Sequence, residues 1–143
     1  MTTAEQLTQV FCDNFVAYFR SHAAHINITG RNFRSDHKLL GGVYERRQAE
    51  IDRIGELLRS MQEYMPCDIQ DVVLLSTIPT TAIEGTADEL LEIVMMDLEH
   101  LLEDYKELIT IATEQGLDEI ANYGQDQALD LEKSIWMLRS TLE

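Results

Sequence analysis

The sequence predicts an all-α protein whose helices pack as a four-helix bundle in one domain, residues 1–143. Apolar side chains recur at helical spacing through four segments of about 25–30 residues each. The chain is 45% hydrophobic with only 7 Gly and 2 Pro, which is typical of a globular protein and not of a disordered one. Its 143 residues are enough to bury a substantial core.

The first half of the chain contains two of these helices. The first covers residues 4–28, and Thr3 is in position to cap it. The second follows Ser35, a candidate N-cap, and ends before Pro66, which cannot continue a helix. Gly41-Gly42 lies inside this second helix and costs roughly 1 kcal/mol per glycine. We therefore expect one continuous helix with a weak point at the glycine pair.

The second half contains a long connection followed by two more helices. Residues 68–77 are apolar, and although their composition allows a strand, an isolated strand has nothing to pair with, so a short helix is expected. The third long helix covers 86–115 and is expected to end at Gly116, and the fourth covers 117–142. The connection 66–85 is much longer than the other two. A long crossover between helices two and three distinguishes ferritin-like bundles from simple up-and-down bundles.

The net charge of −15 is unevenly distributed. Residues 60–143 contain 19 acidic and 3 basic side chains, whereas residues 1–59 contain 7 acidic and 8 basic ones. Nucleic-acid-binding proteins usually show the opposite balance, because they must approach phosphates. A concentrated acidic surface attracts cations instead, although a solvated acidic face that aids solubility is the simpler alternative.

The expected compartment is the cytoplasm. No apolar run approaches the roughly 20 residues of a membrane helix, and no secretory signal is visible after Met1. The two cysteines, Cys12 and Cys67, are too few for a disulfide framework and suit a reducing compartment.

A set of histidines and carboxylates forms a candidate metal site. Three of the four histidines, His22, His25 and His37, lie close together in sequence. Asp52 and Glu56 stand four apart on the second helix and share one face. Imidazole with carboxylate suits divalent iron, manganese or zinc. Solvated carboxylate pairs and histidines that only cap or pack helices are common alternatives.

The helix length decides how such a site can form. His37 and Asp52 are separated by 15 positions, or about 22 Å along one continuous helix. They cannot bind the same ion within one chain. A shared site therefore needs two subunits, and a twofold interface would create two sites because each chain supplies both halves.

Three segments resemble the Dps family of mini-ferritins over nearly the whole chain. The stretch HINITGRNFRSDHKLL (25–40) is similar to the family signature, in which a second histidine follows the first by twelve positions. The segment IDRIGELL (51–58) resembles the second family motif, and EKSIWMLRS (132–140) resembles the C-terminal helix with its tryptophan. The matching residues are His25, Asn27, Ile28, Gly30, Phe33, His37, Asp52, Glu56 and Trp136.

The resemblance implies a dodecameric shell with ferroxidase sites between twofold-related subunits. It implies that Fe(II) is oxidised, preferably by hydrogen peroxide, and stored as a mineral, which protects against oxidative damage. The implied catalytic iron ligands are His25 and His37 from one subunit, together with Asp52 and Glu56 from its partner. Zinc or manganese could use the same site. The alternative is a shell with weakened or absent ferroxidase activity that only sequesters metal or assembles.

Three positions depart from the family pattern. The family usually has an Asp one helical turn after the second His, where this chain has Gly41. This substitution removes a ligand and is the reason for keeping the inert shell as an alternative. Ile26 replaces an aromatic residue after the first His, and Leu57 replaces an Arg.

The family also implies acidic iron channels and, in some members, DNA binding. The candidate channel residues lie near the start of the last helix, although they could equally form a plain exposed face: Asp118, Glu119, Asp126 and Asp130. Family members often bind DNA through a terminal tail rich in Lys and Arg, but no Lys or Arg precedes Arg20 here. The acidic charge should repel phosphates, so we expect no DNA coating at neutral pH and moderate salt.

Overall fold

The computed structural model describes residues 1–143 and contains five helices and no strand. The short third helix lies inside the long connection, so the expected all-α fold with an extra helix in the crossover is confirmed. The helices are α1 (Thr3–Asn27), α2 (Phe33–Ser60), α3 (Ile69–Leu75), α4 (Ala87–Glu114) and α5 (Asp118–Leu142).

Side-chain caps set the starts of α1 and α4. The Thr2 hydroxyl accepts a hydrogen bond from the Glu5 amide, and the Glu5 carboxylate accepts one from the Thr2 amide. The cap of α1 is therefore Thr2, and the prediction of Thr3 was wrong by one residue. Thr86 and Glu89 form the same reciprocal pair at α4. Each pair satisfies two amides that the helix leaves unbonded.

The start of α2 also differs from the prediction. Asn32 occupies the N-cap position without a side-chain hydrogen bond. Ser35 lies inside the first turn, where its hydroxyl donates to the Asn32 carbonyl. The prediction that Ser35 caps this helix was wrong, because helical geometry is already established two residues earlier, at Phe33.

The end of α2 comes at Ser60, before the predicted stop at Pro66. Gln62 adopts a left-handed backbone with φ 65°. Its amide donates to the Arg59 carbonyl at 3.0 Å, and the Glu63 amide donates to the Leu58 carbonyl at 2.9 Å. These two bonds form a Schellman motif, which satisfies the last carbonyls and turns the chain away. Gly116 occupies the equivalent left-handed position after α4, as the sequence predicted.

A single apolar core joins the long helices. Twenty-nine buried apolar residues form one cluster, drawn from every helix. The helix α1 packs on α2 and α4, and α4 packs on α5. The glycine pair does not interrupt α2, which is continuous from Phe33 to Ser60. None of the helices combines the length and the apolar character required to cross a membrane.

A buried carboxylate fastens the crossover to α1. Asp13 is fully buried, and it accepts hydrogen bonds from the Ser76 hydroxyl at 2.8 Å, the Thr77 amide at 2.6 Å and the Thr77 hydroxyl at 2.7 Å. Ile78 follows and is 2% exposed, so it inserts into the core. These contacts position the segment after α3 against the bundle.

Candidate metal centre

His25 and His37 stack face to face where α1 ends and α2 begins. Their ring centroids are 3.7 Å apart, and the ring planes differ by 14°. Each ring bonds to the backbone of the other residue: His25 Nδ1 lies 2.6 Å from the His37 carbonyl oxygen, and His37 Nδ1 lies 2.7 Å from the His25 carbonyl oxygen. The structure therefore places these two predicted residues together within one chain.

The reciprocal hydrogen bonds fix which ring nitrogen carries the proton. A carbonyl oxygen can only accept, so Nδ1 must be the donor in both rings. In the neutral rings this leaves both Nε2 atoms with free lone pairs. A backbone carbonyl commonly orients a metal-binding histidine in this way. The pair thus presents two oriented imidazole lone pairs that could hold a metal ion.

Aromatic rings enclose the pair on both sides. Phe33 stacks on His37 at 5.0 Å between centroids, and Tyr44 lies 5.0 Å from the His25 ring. His22 does not join the pair, because it stacks on Tyr44 at 3.9 Å with an angle of only 3°. The third histidine of the sequence cluster therefore supports the packing around Tyr44.

Gly41 lies directly beside the His25 ring. A Cβ atom at this position would come within 3.1 Å of His25 Cε1 and 3.3 Å of Nδ1. The space next to this backbone position is filled by the imidazole. Even a methyl group there would require the ring to move by a few tenths of an ångström.

Asp52 and Glu56 form a second, separate group on α2. Both side chains are exposed in an open groove that also includes Gly55, Arg59 and Met65. The hydrogen bond and the charge repulsion between the two carboxyl groups raise the pKa of Glu56. Two exposed carboxyl groups in contact can bind a cation, which would relieve this repulsion.

One chain cannot bring the two groups together. The helix α2 is continuous between His37 and Asp52, so the 15 residues that separate them span about 22 Å. Each chain therefore carries a histidine pair where α1 meets α2 and a carboxylate pair further along α2. A metal site that uses both pairs would need two subunits, which stays a prediction.

The four candidate channel residues fall into different environments. Glu119 and Asp126 line a depression that also includes Glu56 and Asn122. Asp118 is exposed in the first turn of α5. Asp130 differs from the other three, because it pairs with Arg47 at 2.9 Å and with Arg46 at 3.4 Å. Its charge is therefore compensated within the chain.

A buried polar layer between α2 and α5 was not anticipated from the sequence. Glu50 is only 7% exposed, and its carboxylate accepts hydrogen bonds from the Tyr123 hydroxyl at 2.6 Å and from the side-chain amide of Gln127 at 3.2 Å. Arg53 also contacts Glu50, at 3.1 Å. The residue spacing could have indicated this layer in the sequence, because Arg47 and Glu50 occupy positions on the buried face of α2.

Comparisons with known proteins agree with the geometry. Residues 4–143 match the family model described as ferritin-like domain. The chain is 27% identical to the DNA protection during starvation protein of Helicobacter pylori, and the match covers 99% of both proteins.

Solved structures share the fold. The crystal structure of Helicobacter cinaedi CAIP superposes with a TM-score of 0.92 at 29% identity, covering 99% of this chain and 100% of that one. The structure of Dps from Thermosynechococcus elongatus superposes with a TM-score of 0.94 at 20% identity, covering 99% of this chain and 90% of that one. The chain therefore belongs to the ferritin-like family, and it is similar to proteins of the Dps group.

Proposed function

We propose that this protein is a mini-ferritin that binds Fe(II) between twofold-related subunits, oxidises it and stores Fe(III) inside a closed shell. The observation that carries the proposal is a pair of half-sites, one where α1 meets α2 and the other further along α2. His25 and His37 are oriented for metal binding at one end, and Asp52 and Glu56 contact each other about 22 Å away.

The imidazole half would hold the incoming ferrous ion. Both Nε2 atoms are free because both Nδ1 atoms donate to carbonyl oxygens. The stack with Phe33 keeps the His37 ring in place. Neutral imidazole suits iron, zinc and manganese, so the donor set supports the choice of a divalent transition metal but does not select iron among them.

The carboxylate half would bind the ferric product. Asp52 and Glu56 from the partner subunit would face His25 and His37, and their charge would stabilise Fe(III) more than Fe(II). Two Fe(II) ions each lose one electron, and one hydrogen peroxide molecule takes both electrons with two protons to form two water molecules. Fe(III) would then pass into the cavity of the shell.

An exposed apolar surface supports self-association. One groove, formed by α1, α3 and the crossover, is lined by large apolar side chains: Phe15, Phe19, Ile69, Val73 and Ile83. Phe19 is 65% exposed. Large exposed apolar patches usually mark protein interfaces. We therefore expect a homo-oligomer, and the family relationship favours a dodecamer.

The acidic residues of α5 support an entry route for cations. Glu119 and Asp126 share a depression with Glu56, so carboxylates lead from the start of α5 toward the acidic half-site. The same charge disfavours DNA as a ligand, because a net charge of −15 per chain repels phosphates. We propose a metal-handling role without DNA compaction.

Stopped-flow oxidation of Fe(II) by hydrogen peroxide tests the proposal. The assembled protein is compared with the His37→Ala/Asp52→Ala double variant, which removes one ligand from each half-site. The rate at which the ferric absorbance rises should be lower in the variant by about tenfold or more. Even the loss of groups that only orient metal ligands reduces activity by about 10–100-fold. Glu103→Gln/Glu107→Gln is the control, because both side chains are exposed on α4, outside the two half-sites.

The second candidate is a shell without ferroxidase activity, and Gly41 is the observation that favours it. The family resemblance implies a carboxylate at this position, whereas this chain has glycine there and the His25 ring fills the space. Equal oxidation rates in the wild type and the double variant, with both proteins assembled, would support the inert shell.

A further inference from the structure

A second group of metal-ligating side chains lies between α1 and α4. Asp13 comes from α1, and His100 and Asp104 come from one face of α4, four residues apart. One ligand atom from each of the three residues lies within 4.8 Å of the other two. The helix α2, which carries most of the proposed iron site, contributes nothing to this group.

The charges within this group are not balanced by the protein. Asp13 accepts hydrogen bonds at both oxygens, so its carboxylate is held in the charged form. Asp104 lies against it, and no other residue donates a hydrogen bond to the fully buried Asp104 Oδ2. Carboxylate oxygens only accept hydrogen bonds. Two of them in buried contact therefore require a proton or a cation between them.

The titration behaviour of the two acids agrees with this geometry. Burial and the neighbouring Asp13 charge raise the pKa of Asp104 to about 9. Burial alone would raise the pKa of Asp13 as well, but hydrogen bonds from Asp104, Thr77 and Ser76 lower it. Without a cation, Asp104 thus keeps a proton that it shares with Asp13.

We propose that Asp13, His100 and Asp104 form a second metal site, which binds a divalent transition-metal ion. One imidazole with two carboxylates is a donor set that suits Zn²⁺, Mn²⁺ and Fe²⁺. The hydroxyl of Thr77 contacts both Asp13 and His100 Nε2, which orients the two ligands. His100 is exposed, so an ion can enter from its side.

The ion would connect three parts of the fold. Asp13 fastens the crossover through Ser76 and Thr77, and the two α4 ligands lie on the other side of the site. A bound ion would therefore link α1, α4 and the segment after α3. Because the unfolded chain does not preserve this arrangement, binding should stabilise the fold.

Zinc binding to the assembled full-length protein tests this site independently of the iron site. The parent protein for the test carries Asp52→Asn and Glu56→Gln, two exposed changes that disable the acidic half-site of the proposed iron centre. Zn²⁺ binding is measured by calorimetry, and thermal unfolding is measured with Zn²⁺ and with EDTA. The parent should bind Zn²⁺ at the second site and unfold at a higher temperature with Zn²⁺.

Two further variants remove ligands from the second site. His100→Ala changes an exposed side chain, and Asp104→Asn keeps the shape and a donor toward Asp13, so both should fold. Each should weaken zinc binding about tenfold or more and remove the thermal shift. Glu107→Gln removes a charge from exposed α4 surface outside the cluster and should change neither quantity.

Crystals soaked in Zn²⁺ give a direct check. Anomalous density should lie about 2.0–2.2 Å from a His100 nitrogen and from an Asp104 oxygen. If the His100→Ala and Asp104→Asn variants bind zinc as tightly as the parent, and no anomalous density lies between the three residues, the second site does not exist. Failure of this test would leave the proposed iron site unaffected.

Discussion

At the scale of single residues, the geometry of the histidine pair explains what the glycine at position 41 does. The rings of His25 and His37 stack and exchange hydrogen bonds with each other's carbonyl groups. This arrangement needs the His25 ring close to α2, and the ring reaches within 3.1 Å of where a Cβ of residue 41 would be. Gly41 therefore leaves room for the His25 ring, and it also lacks the carboxylate that the family resemblance implies at this position.

Replacing Gly41 by alanine should separate stability from metal binding. A Gly→Ala change inside a helix favours the helix by about 1 kcal/mol, while the new Cβ presses on the His25 ring. We expect a melting temperature that is unchanged or slightly raised, with Fe(II) oxidation slowed about tenfold because small displacements of reacting groups strongly reduce rates. Thermal unfolding and stopped-flow oxidation measure the two effects.

Gly42→Ala is the matched control. It receives the same gain in helix propensity, but nothing lies within 4 Å of its Cβ position. It should raise stability and leave oxidation unchanged. Identical behaviour of the two alanine variants in both assays would show that the His25 ring tolerates the extra methyl group and that Gly41 has no special role.

At the scale of helices, the sequence predicted which elements exist better than where they end. The apolar periodicity correctly indicated the four long helices, because each buries one face and its apolar residues recur at helical spacing. The short helix α3 was inferred for another reason, since an isolated strand would have had nothing to pair with. The end of α2 was misplaced because a non-glycine residue, Gln62, adopts the left-handed conformation of the Schellman motif. Composition does not signal such a residue, whereas Gly116 signalled the end of α4.

At the candidate site, too, the sequence predicted which residues take part better than how they are arranged. The motif spacing predicted His25, His37, Asp52 and Glu56 as metal ligands, and the helical rise predicted that the two groups lie far apart in one chain. The stacking of the rings and the protonated nitrogen depend on the approach of α1 to α2, which no single segment encodes. The Asp13, His100 and Asp104 group was missed for a related reason, since its members come from distant parts of the sequence.

Gln62 provides a test of the helix end. A left-handed backbone is unfavourable for L-residues by roughly 1–2 kcal/mol, and glycine avoids this strain but has more freedom in the unfolded chain. Gln62→Gly should therefore raise stability by about 0.5 kcal/mol. Gln62→Val should lower stability by about 1 kcal/mol or more, because a β-branched residue tolerates this conformation poorly. Thermal unfolding at equal protein concentration measures both.

The neighbouring residue serves as the control for this comparison. Glu63 is exposed and has a negative φ, so Glu63→Gly adds freedom to the unfolded chain without relieving strain and should be destabilising. A loss of stability in Gln62→Gly equal to that in Glu63→Gly would mean that the left-handed turn does not end α2 in solution.

At the scale of the whole molecule, a single chain leaves two features incomplete. Its imidazole pair, where α1 meets α2, lies far from the carboxylate pair further along α2, and its apolar groove along α1 and α3 faces solvent. A second copy placed on the groove could bury the apolar side chains and complete the half-sites together. Assembly must also overcome repulsion between chains that each carry −15, so salt and bound cations should favour it.

A charge placed in the groove should therefore abolish assembly and iron oxidation together. Phe19 is 65% exposed in the single chain, so Phe19→Asp should leave the helical content unchanged while it prevents burial of the groove. A dodecamer of 16.4 kDa chains has a mass of roughly 200 kDa, and the variant should elute as much smaller species. Its Fe(II) oxidation should fall to the rate of the His37→Ala/Asp52→Ala variant, because no partner supplies the missing half-site.

Phe19→Leu keeps the groove apolar and should retain both the shell and the activity. A small Phe19→Asp species that still oxidised Fe(II) at the wild-type rate would contradict the shared site, since one chain cannot span the distance along α2.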